Sequence, residues 1–172
     1  MEERTIRCGG EIFTIGPPEK DDWPWIVEGL VVSYAKDIPT SMMPDEGMIR
    51  ERVEEEVQGL RENKYLDNEV FVIRDESGIR AAYLWIMAVP LQFTGEMRGW
   101  MFQLYVSEDF RGKGLGKALM SLGEEWTLSR DMRSIAVMVG SGNDGGMGIL
   151  RSMGFEIEGY NMGKPLDRSR HI

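Results

Sequence analysis

The sequence predicts an α/β fold in which helices flank one mixed sheet, within a single domain spanning residues 1–172. Three observations support this prediction. Strand-like and helix-like segments alternate in the order β α α β β β α β α β. The length of 172 residues is close to the ~150 residues of an average domain. No internal repeat or Pro/Ser-rich linker divides the chain.

The first half of the chain predicts one strand and two helices. Residues 11–15 alternate like a short strand and end at consecutive glycine and proline residues. Asp22 is a plausible N-cap for the first helix, because Pro24 follows in its first turn. Residues 36–47 contain two prolines and a glycine, which predicts a loop before an amphipathic helix over 49–60.

The second half predicts most of the sheet. Apolar segments at 70–73, 79–89, 100–106 and 135–139 indicate four strands. A third helix is predicted from Leu115 to Trp126, and a short fourth helix ends at Gly154. The segments 155–160 and 162–166 are expected to form a terminal strand or hairpin.

Composition excludes several classes of protein. Cys8 is the single cysteine and His171 the single histidine, so no disulfide framework, metal site or Ser-His-Asp triad is expected. The net charge of −9 argues against general nucleic-acid binding. The charged N-terminus and the lack of a long apolar segment predict a cytoplasmic protein without membrane association.

The most informative segment is the glycine-rich turn between the strand at 100–106 and the third helix. Glycines allow a sharp turn and let backbone N–H groups approach an oxyanion closely. The start of a helix adds partial positive charge, and cationic side chains add full charges. The turn therefore predicts a phosphate or pyrophosphate site. Its glycines are Gly112, Gly114 and Gly116, and its cations are Arg111, Lys113 and Lys117.

Two common glycine-rich motifs do not fit this turn. The P-loop pattern fails because Arg111 replaces its first glycine and Ala118 follows its lysine. The dinucleotide pattern fails because the glycines are spaced as Gly-x-Gly-x-Gly. The pattern that remains is Arg-x-x-Gly-x-Gly, starting at Arg111 and preceded by the strand Leu-Tyr-Val.

This pattern resembles the signature loop of the GNAT superfamily of N-acetyltransferases. A second signature agrees, because Asn143 stands eleven residues before the Gly154-Phe155 pair that closes the short helix. The order of elements over about residues 10–166 is also similar. The resemblance implies a mixed, mostly antiparallel sheet. It further implies transfer of an acetyl group from acetyl-CoA to a primary amine of a small molecule or protein, by direct attack in a ternary complex.

The resemblance also implies how acetyl-CoA is held, with no metal involved. The backbone of residues 104–106 would pair with the pantetheine arm, and the Val106 N–H would polarise the thioester carbonyl. The N–H groups of residues 111–117 would hold the pyrophosphate, and Asn143 would contact the pantetheine or adenine end. The implied cofactor-binding residues are Leu104, Tyr105, Val106, Arg111, Gly112, Lys113, Gly114, Leu115, Gly116, Lys117, Asn143 and Leu150.

The chain departs from the family pattern at the residues that move protons. Met138 and Trp100 occupy the positions where many relatives have a glutamate base. Leu150 occupies the position of the tyrosine that protonates the departing thiolate. The catalytic residues are therefore unassigned. Substitute hydroxyl groups could come from Tyr105, Ser141 or Tyr160.

The acceptor is expected beside the first two helices. Residues 11–62 contain 13 acidic and 5 basic residues, which favours a cationic amine, although a solvated acidic helix face explains the same excess. Glu28, Tyr34 and Asp37 are predicted to contact the acceptor. The resemblance is also compatible with a homodimer.

Two other functions remain open on the sequence. The missing tyrosine and glutamate would suit a non-catalytic domain that binds or senses acyl-CoA. The segment 140–145 spells Gly-x-Gly-x-x-Gly after an apolar strand, which suggests a nucleotide-dependent enzyme. Fewer than thirty residues follow this segment, too few for a second βαβ half.

Overall fold

A computed structural model describes residues 3–38 and 46–164 and contains one six-stranded sheet whose strands neighbour each other in chain order. Neighbouring strands are antiparallel except for the last two, which are parallel. The prediction of an α/β fold with a mixed, mostly antiparallel sheet is confirmed. The strands are β1 Arg4–Cys8, β2 Glu11–Gly16, β3 Asn68–Asp75, β4 Arg80–Pro90, β5 Met97–Val106 and β6 Ile135–Val137. The helices are α1 Trp23–Asp37, α2 Glu46–Glu62, α3 Leu115–Leu128 and α4 Asp144–Ser152.

Helices cover both faces of the sheet, and each face has its own apolar core. Alternate residues of β4 supply the two cores, because successive side chains of a strand point to opposite faces. Tyr83 and Trp85 pack with α1 and α2, whereas Leu84 and Ile86 pack with α3 and α4. All four side chains are fully buried. The central strands are therefore fixed on both faces and position whatever lies at the end of β5.

One strand was missed in the predicted order. β1 pairs with β2 through a two-residue turn at Gly9 and Gly10, whose φ angles are +58° and +86°. Two consecutive glycines between alternating residues are typical of such a hairpin turn. Residues 4–16 therefore form a β-hairpin, and the predicted order lacks its first strand.

The predicted cap of α1 has a different role. Asp22 precedes the helix, but its side chain makes no capping hydrogen bond to the N-terminus of α1. Its carboxylate is buried and accepts from Arg74 and from Arg80, whose Nε lies 2.6 Å from Oδ1. A buried charge requires paired partners. Asp22 therefore ties the start of α1 to β3 and β4.

The predicted C-terminal strand is wrong as far as the structure describes it. Residues 155–164 contain no strand. Gly159, Asn161 and Gly163 interrupt the apolar alternation that a strand would need. Residues 39–45 and 165–172 lie outside the described residues, and with them most of the predicted 36–47 loop, the end of the 162–166 segment and His171.

Two observations on the described ranges bear on function. No helix within them is both long and apolar enough to cross a membrane. The same residues bring together no group of three His, Cys, Asp or Glu side chains suited to holding a metal ion.

Candidate functional site

The two parallel strands β5 and β6 separate partway along β5 and leave an open edge. They pair only from Gly99 with Ile135 to Met101 with Val137, whereas β5 continues to Val106. We call this opening the fork. Beyond it, the β5 backbone is paired on the β4 side alone. The β6 side of β5 therefore offers backbone groups to a ligand, although the Val106 carbonyl already accepts from Arg111 Nε at 3.3 Å.

The register of β4 and β5 identifies which backbone groups face the fork. Ser107 N–H donates to Ala81 O at 2.9 Å, which makes this pair a hydrogen-bonded one. Such pairs alternate with non-bonded pairs along an antiparallel ladder. Leu104 and Val106 therefore direct their N–H and C=O groups away from β4. A ligand strand laid along this edge would meet those two residues.

β5 contains a β-bulge at Phe102, and the side chains there face the first helix. Gln103 pairs with Trp85 and Met101 with Ile86, so Phe102 is the extra residue. Phe102 packs with Trp85 on the α1 side, and Gln103 also reaches α1, where its Nε2 donates to Ser33 Oγ at 2.7 Å. The bulge thus brings a buried amide to the fork.

A cavity of about 130 Å³ occupies the fork. Its walls come from β5, from β6 and the residues that follow it, and from α1, α3 and α4. Asp37 is the one ionisable side chain among the described residues that line it. The lining residues are Ser33, Asp37, Met101, Phe102, Gln103, Leu104, Met120, Val137, Met138, Val139, Asn143, Gly146 and Leu150.

The glycine-rich turn after β5 leaves the N-terminus of α3 open. Gly112 and Gly114 have φ angles of +77° and +88°, which favour glycine strongly. No side chain caps the helix, and its first backbone bond runs from Ala118 N–H to Gly114 O at 3.1 Å. The N–H groups of residues 115–117 therefore have no partner within the helix. Such a helix start is suited to binding phosphate.

The cations of this turn are present, and two of them are already paired. Arg111 Nε donates to Val106 O at 3.3 Å, and its Nη1 lies 3.1 Å from Glu108. Lys113 Nζ lies 2.8 Å from Glu11 at the start of β2. Lys117 is exposed on the first turn of α3. A ligand phosphate would compete with the two glutamates for these charges.

Asn143 lies at the opposite wall of the fork as the cap of α4. Its Oδ1 accepts from Gly146 N–H at 2.9 Å. This hydrogen bond satisfies one of the free donors of the helix start. The Asn143 side chain also lines the cavity, where its amide nitrogen can still donate.

Other residues considered from the sequence take different places around the fork. Leu150 is buried and lines the cavity, so an apolar side chain occupies the position of the family tyrosine. Tyr105 instead stacks on Tyr83 with ring centroids 5.5 Å apart. Ser141 and Tyr160 are exposed and do not line the cavity.

The three predicted acceptor residues separate into two groups. Glu28 pairs with Arg50 at 2.6 Å, and this bond lowers the pKa of Glu28. Tyr34 donates to Glu56 at 2.7 Å, while burial and that bond raise the pKa of Tyr34 well above its usual range. Both side chains tie α1 to α2. Asp37 alone of the three lines the fork cavity.

A larger depression of about 610 Å³ lies between α1 and α2. Glu28, Arg50 and Trp23 contribute to its walls, and Arg61 stacks over the Trp23 ring at 4.0 Å. The described residues that line it all belong to α1 and α2, so none of them comes from a strand edge. The smaller fork cavity is therefore the better candidate for chemistry.

Sequence reasoning missed two polar residues of the fork, Ser33 and Gln103. One signal was available for Ser33, because it precedes Asp37 by four residues and side chains at that spacing share a helix face. Gln103 had no comparable signal, since its orientation depends on the bulge at Phe102.

This chain is similar to known proteins in both sequence and structure. The model of the acetyltransferase (GNAT) family matches residues 36–155, which is more than half of the chain. The chain belongs to the GNAT acetyltransferase family. The matched region begins one residue before Asp37 and ends at Phe155, so it includes β5, the fork and the glycine-rich turn.

Individual relatives agree with the family at low identity. An uncharacterized N-acetyltransferase of Methanocaldococcus jannaschii is 31% identical over 72 residues, covering 42% of this chain and 30% of that protein. A mycothiol acetyltransferase of Amycolatopsis mediterranei is 27% identical over 104 residues, covering 59% of this chain and 35% of that protein. These matches span about a third of the curated relatives' length.

Solved structures show the same GNAT fold. A proposed acetyl transferase from Pyrococcus furiosus superposes with a TM-score of 0.76 at 20% identity, covering 90% of this chain and 99% of that one. At this identity the likeness concerns the fold alone. The reaction of this chain must therefore be inferred from the fork and from the N-terminus of α3.

Proposed function

We propose that this protein is an acetyl-CoA-dependent N-acetyltransferase that acetylates a primary amine of a small molecule or protein. One observation carries the proposal. The open edge of β5 at Leu104 and Val106 leads directly into the uncapped start of α3. An open edge suits an extended amide-containing arm, and a free helix start suits a pyrophosphate. Coenzyme A contains both groups in that order.

The residues present fit this carrier. The N–H groups of residues 115–117 and the turn around Gly112 and Gly114 would hold the pyrophosphate. The backbone groups of Leu104 and Val106 would bond the pantetheine arm like an added strand. When bound, the carrier supplies an acyl thioester to the fork.

The direction of the arm favours Leu104 over Val106 as the donor to the thioester carbonyl. Val106 is next to the glycine-rich turn, whereas Leu104 is closer to the point where β5 and β6 separate. An arm that starts at the pyrophosphate reaches Val106 first. We therefore place the reacting carbonyl at Leu104 N–H, which modifies the expectation drawn from the family resemblance.

The departing sulfur would find no tyrosine at the fork, because Leu150 occupies that position. A thiol has a pKa of about 8.5, so a thiolate can leave without full protonation. The Ser33 hydroxyl accepts its bond from Gln103 and keeps its own hydrogen available. Ser33 is thus the hydroxyl best placed to donate a hydrogen bond in the cavity.

The acceptor is proposed to be a cationic amine, without a role for nucleic acid or membrane. Much of the acidic charge of the first third is engaged within the protein, as the bonds of Glu28 and Glu56 illustrate. Asp37 lines the cavity and is the one acidic residue among the described residues that do so. We also retain a cytoplasmic location and a homodimer as proposals.

The test is incubation of the protein with acetyl-CoA and a panel of amines while free thiol is monitored. Spermidine, an aminoglycoside and a peptide with a free N-terminus represent the main cationic acceptors, and a neutral alcohol serves as the control. We expect thiol release with at least one amine and none with the alcohol. Release without any amine dependence would contradict the proposal.

The second candidate is a non-catalytic acyl-CoA sensor, which Leu150 at the cavity favours. A titration of acetyl-CoA by calorimetry separates the two functions when it accompanies the thiol assay. Tight binding with no thiol release across the whole panel would support the sensor. Binding together with amine-dependent release would support the enzyme.

A further inference from the structure

Asp37 occupies an unusual place for an aspartate. It is the last residue of α1, where the helix dipole disfavours negative charge. Its carboxylate makes no hydrogen bond or salt bridge with any described residue. The residue is exposed, so the carboxylate needs no partner within the protein, and an anion at this end of a helix contributes nothing evident to the fold. Its position is therefore better explained by what it faces.

The carboxylate is held against the loop that follows β6. A Cβ atom added to Gly140 would lie 2.1 Å from Asp37 Oδ1 and 2.7 Å from its Cγ. The Gly140 backbone is thus in direct contact with the carboxylate, and a larger residue at position 140 would require the Asp37 side chain to move. This contact joins α1 to the far wall of the fork.

The surroundings of Asp37 are polar but uncharged towards the cavity. Ser33, Gln103 and Asn143 are the polar side chains among the described residues that line it, and none of them carries a charge. Lys36 is the nearby cation and lowers the pKa of Asp37. Partial burial raises that pKa by more, so the net shift is upwards.

We propose that Asp37 is the proton acceptor of the transfer reaction and the group that attracts the ammonium form of the acceptor. This inference rests on the proposed function. The base position of the family relatives holds no carboxylate here, because Met138 and Trp100 occupy it. Asp37 reaches the same cavity from α1. A carboxylate within one water of the nucleophile suffices for general base catalysis.

The proposed transfer removes two protons from the ammonium form of the acceptor. The amine first loses one proton to water and becomes neutral. As its nitrogen forms the C–N bond to the acetyl carbon, the C–S bond breaks and its electron pair stays on sulfur. The second proton given up by nitrogen passes to an Asp37 carboxylate oxygen. Asp37 then returns this proton to water. The products are the acetylated amine and the thiolate.

The decisive variant is Asp37→Asn, which keeps the size of the side chain and removes the base. We expect a fall in kcat of about 100-fold or more, the usual effect of losing a general base. The acid limb of the kcat–pH profile, which reflects protonation of Asp37, should disappear, whereas the limb set by the amine should remain. Asp37→Glu should recover part of the rate. Asp21→Asn, an exposed aspartate at the other end of α1, is the matched control and should behave like the parent.

Two equilibrium measurements accompany the kinetics. Because the raised pKa means that folding favours the protonated carboxyl, ionised Asp37 costs stability as pH rises above the unfolded pKa. Asp37→Asn should therefore keep or raise the Tm at pH 7. Substitution of an aspartate that stabilises the fold would lower the Tm instead. Spermidine titrated into the CoA-saturated protein should bind Asp37→Asn more weakly than the parent.

The outcomes separate this inference from the proposed function. If the parent releases thiol with an amine and Asp37→Asn retains the rate and the acid limb, the proposed function stands and the inference is overturned. If the parent releases no thiol with any amine, the proposed function fails. The spermidine titration then tests the inference. If Asp37→Asn binds spermidine as tightly as the parent does, the inference is overturned.

Discussion

Two glycine-rich turns each lead from a strand into a helix in this protein, and they differ in their suitability for phosphate. The turn before α3 contains two glycines with positive φ, has no side-chain cap and carries three cations. The loop before α4 also contains two glycines, Gly140 and Gly142, yet neither has a positive φ. Its helix start is capped by Asn143, and Asp144 adds a negative charge in the first turn. Glycine content alone therefore does not identify an anion site.

The comparison explains why the Gly-x-Gly-x-x-Gly pattern at residues 140–145 is misleading. A dinucleotide site needs free N–H groups at the helix start. Here Gly146 N–H is already bonded to Asn143 Oδ1, and β6 has only three residues. Gly140 accommodates Asp37 instead. This difference supports the proposal that the turn before α3, and not the loop before α4, holds the pyrophosphate of the carrier.

The largest expected effect comes from placing a negative charge in the turn before α3. Gly114→Asp should weaken CoA binding at least tenfold, about 1.4 kcal/mol, because an anion would face the pyrophosphate. Gly114→Asn has the same size and tolerates a positive φ, so it isolates the charge effect and should bind more tightly than Gly114→Asp. Both would be measured by calorimetry.

Gly142→Asp is the matching variant in the loop before α4. Its glycine has no atom within 4 Å of an added Cβ and no positive φ. We expect CoA affinity within about twofold of the parent, since this helix start is not proposed to hold phosphate. An equal loss in Gly142→Asp and Gly114→Asp would remove the distinction between the two turns.

A smaller effect is expected from the cation that folds back onto β5. Arg111→Ala should weaken CoA binding by at least about 1 kcal/mol through the loss of charge-assisted hydrogen bonds. The loss should shrink at raised salt, because the side chain is exposed. Arg151→Ala on the last turn of α4 is the control. Equal affinity of both variants in low salt would show that Arg111 takes no part.

The capping role of the Asn143 side chain can be measured separately from any contact of that side chain with the carrier. Asn143→Ala should cost about 1 kcal/mol of folding free energy, since the cap of Gly146 N–H is lost. Asn143→Ser keeps a capping oxygen without adding charge and should retain that stability. It lacks the amide donor, so weaker CoA binding by the stable Ser variant would assign the Asn143 amide to the carrier. Thermal unfolding and calorimetry provide the two readouts, and an equal loss of Tm in both variants would contradict the capping role.

The helices and the glycine turn could be predicted from the sequence because their signals are local. The apolar stripe from Leu115 to Trp126 lies within α3, which ends only two residues later. The fork could not be predicted in this way. Residues 135–139 are apolar throughout, which favoured a strand to the end, but β6 stops at Val137. The open edge exists because the strands β5 and β6 diverge in space. The sequence of neither strand indicates that divergence.

The position of Asp37 depends on the same kind of long-range arrangement. The sequence placed it among three acceptor candidates at the end of the first helix, with no basis for choosing between them. Glu28 and Tyr34 pair with Arg50 and Glu56 on α2. Asp37 differs from the other two because it lines the fork cavity and contacts Gly140, about a hundred residues later in the sequence.

The smallest expected effect concerns stability and compares the backbones of the two turns directly. Gly142→Ala should raise the free energy of unfolding by about 0.4 kcal/mol or more, because alanine fits the backbone there and restricts the unfolded chain. Gly112→Ala should lower it by about 1 kcal/mol, since its φ of +77° strains any L-residue. Denaturant titrations of both variants would measure the difference. Changes of equal sign would mean that the two turns do not differ in backbone strain, and the assignment of the anion site would then depend on charge alone.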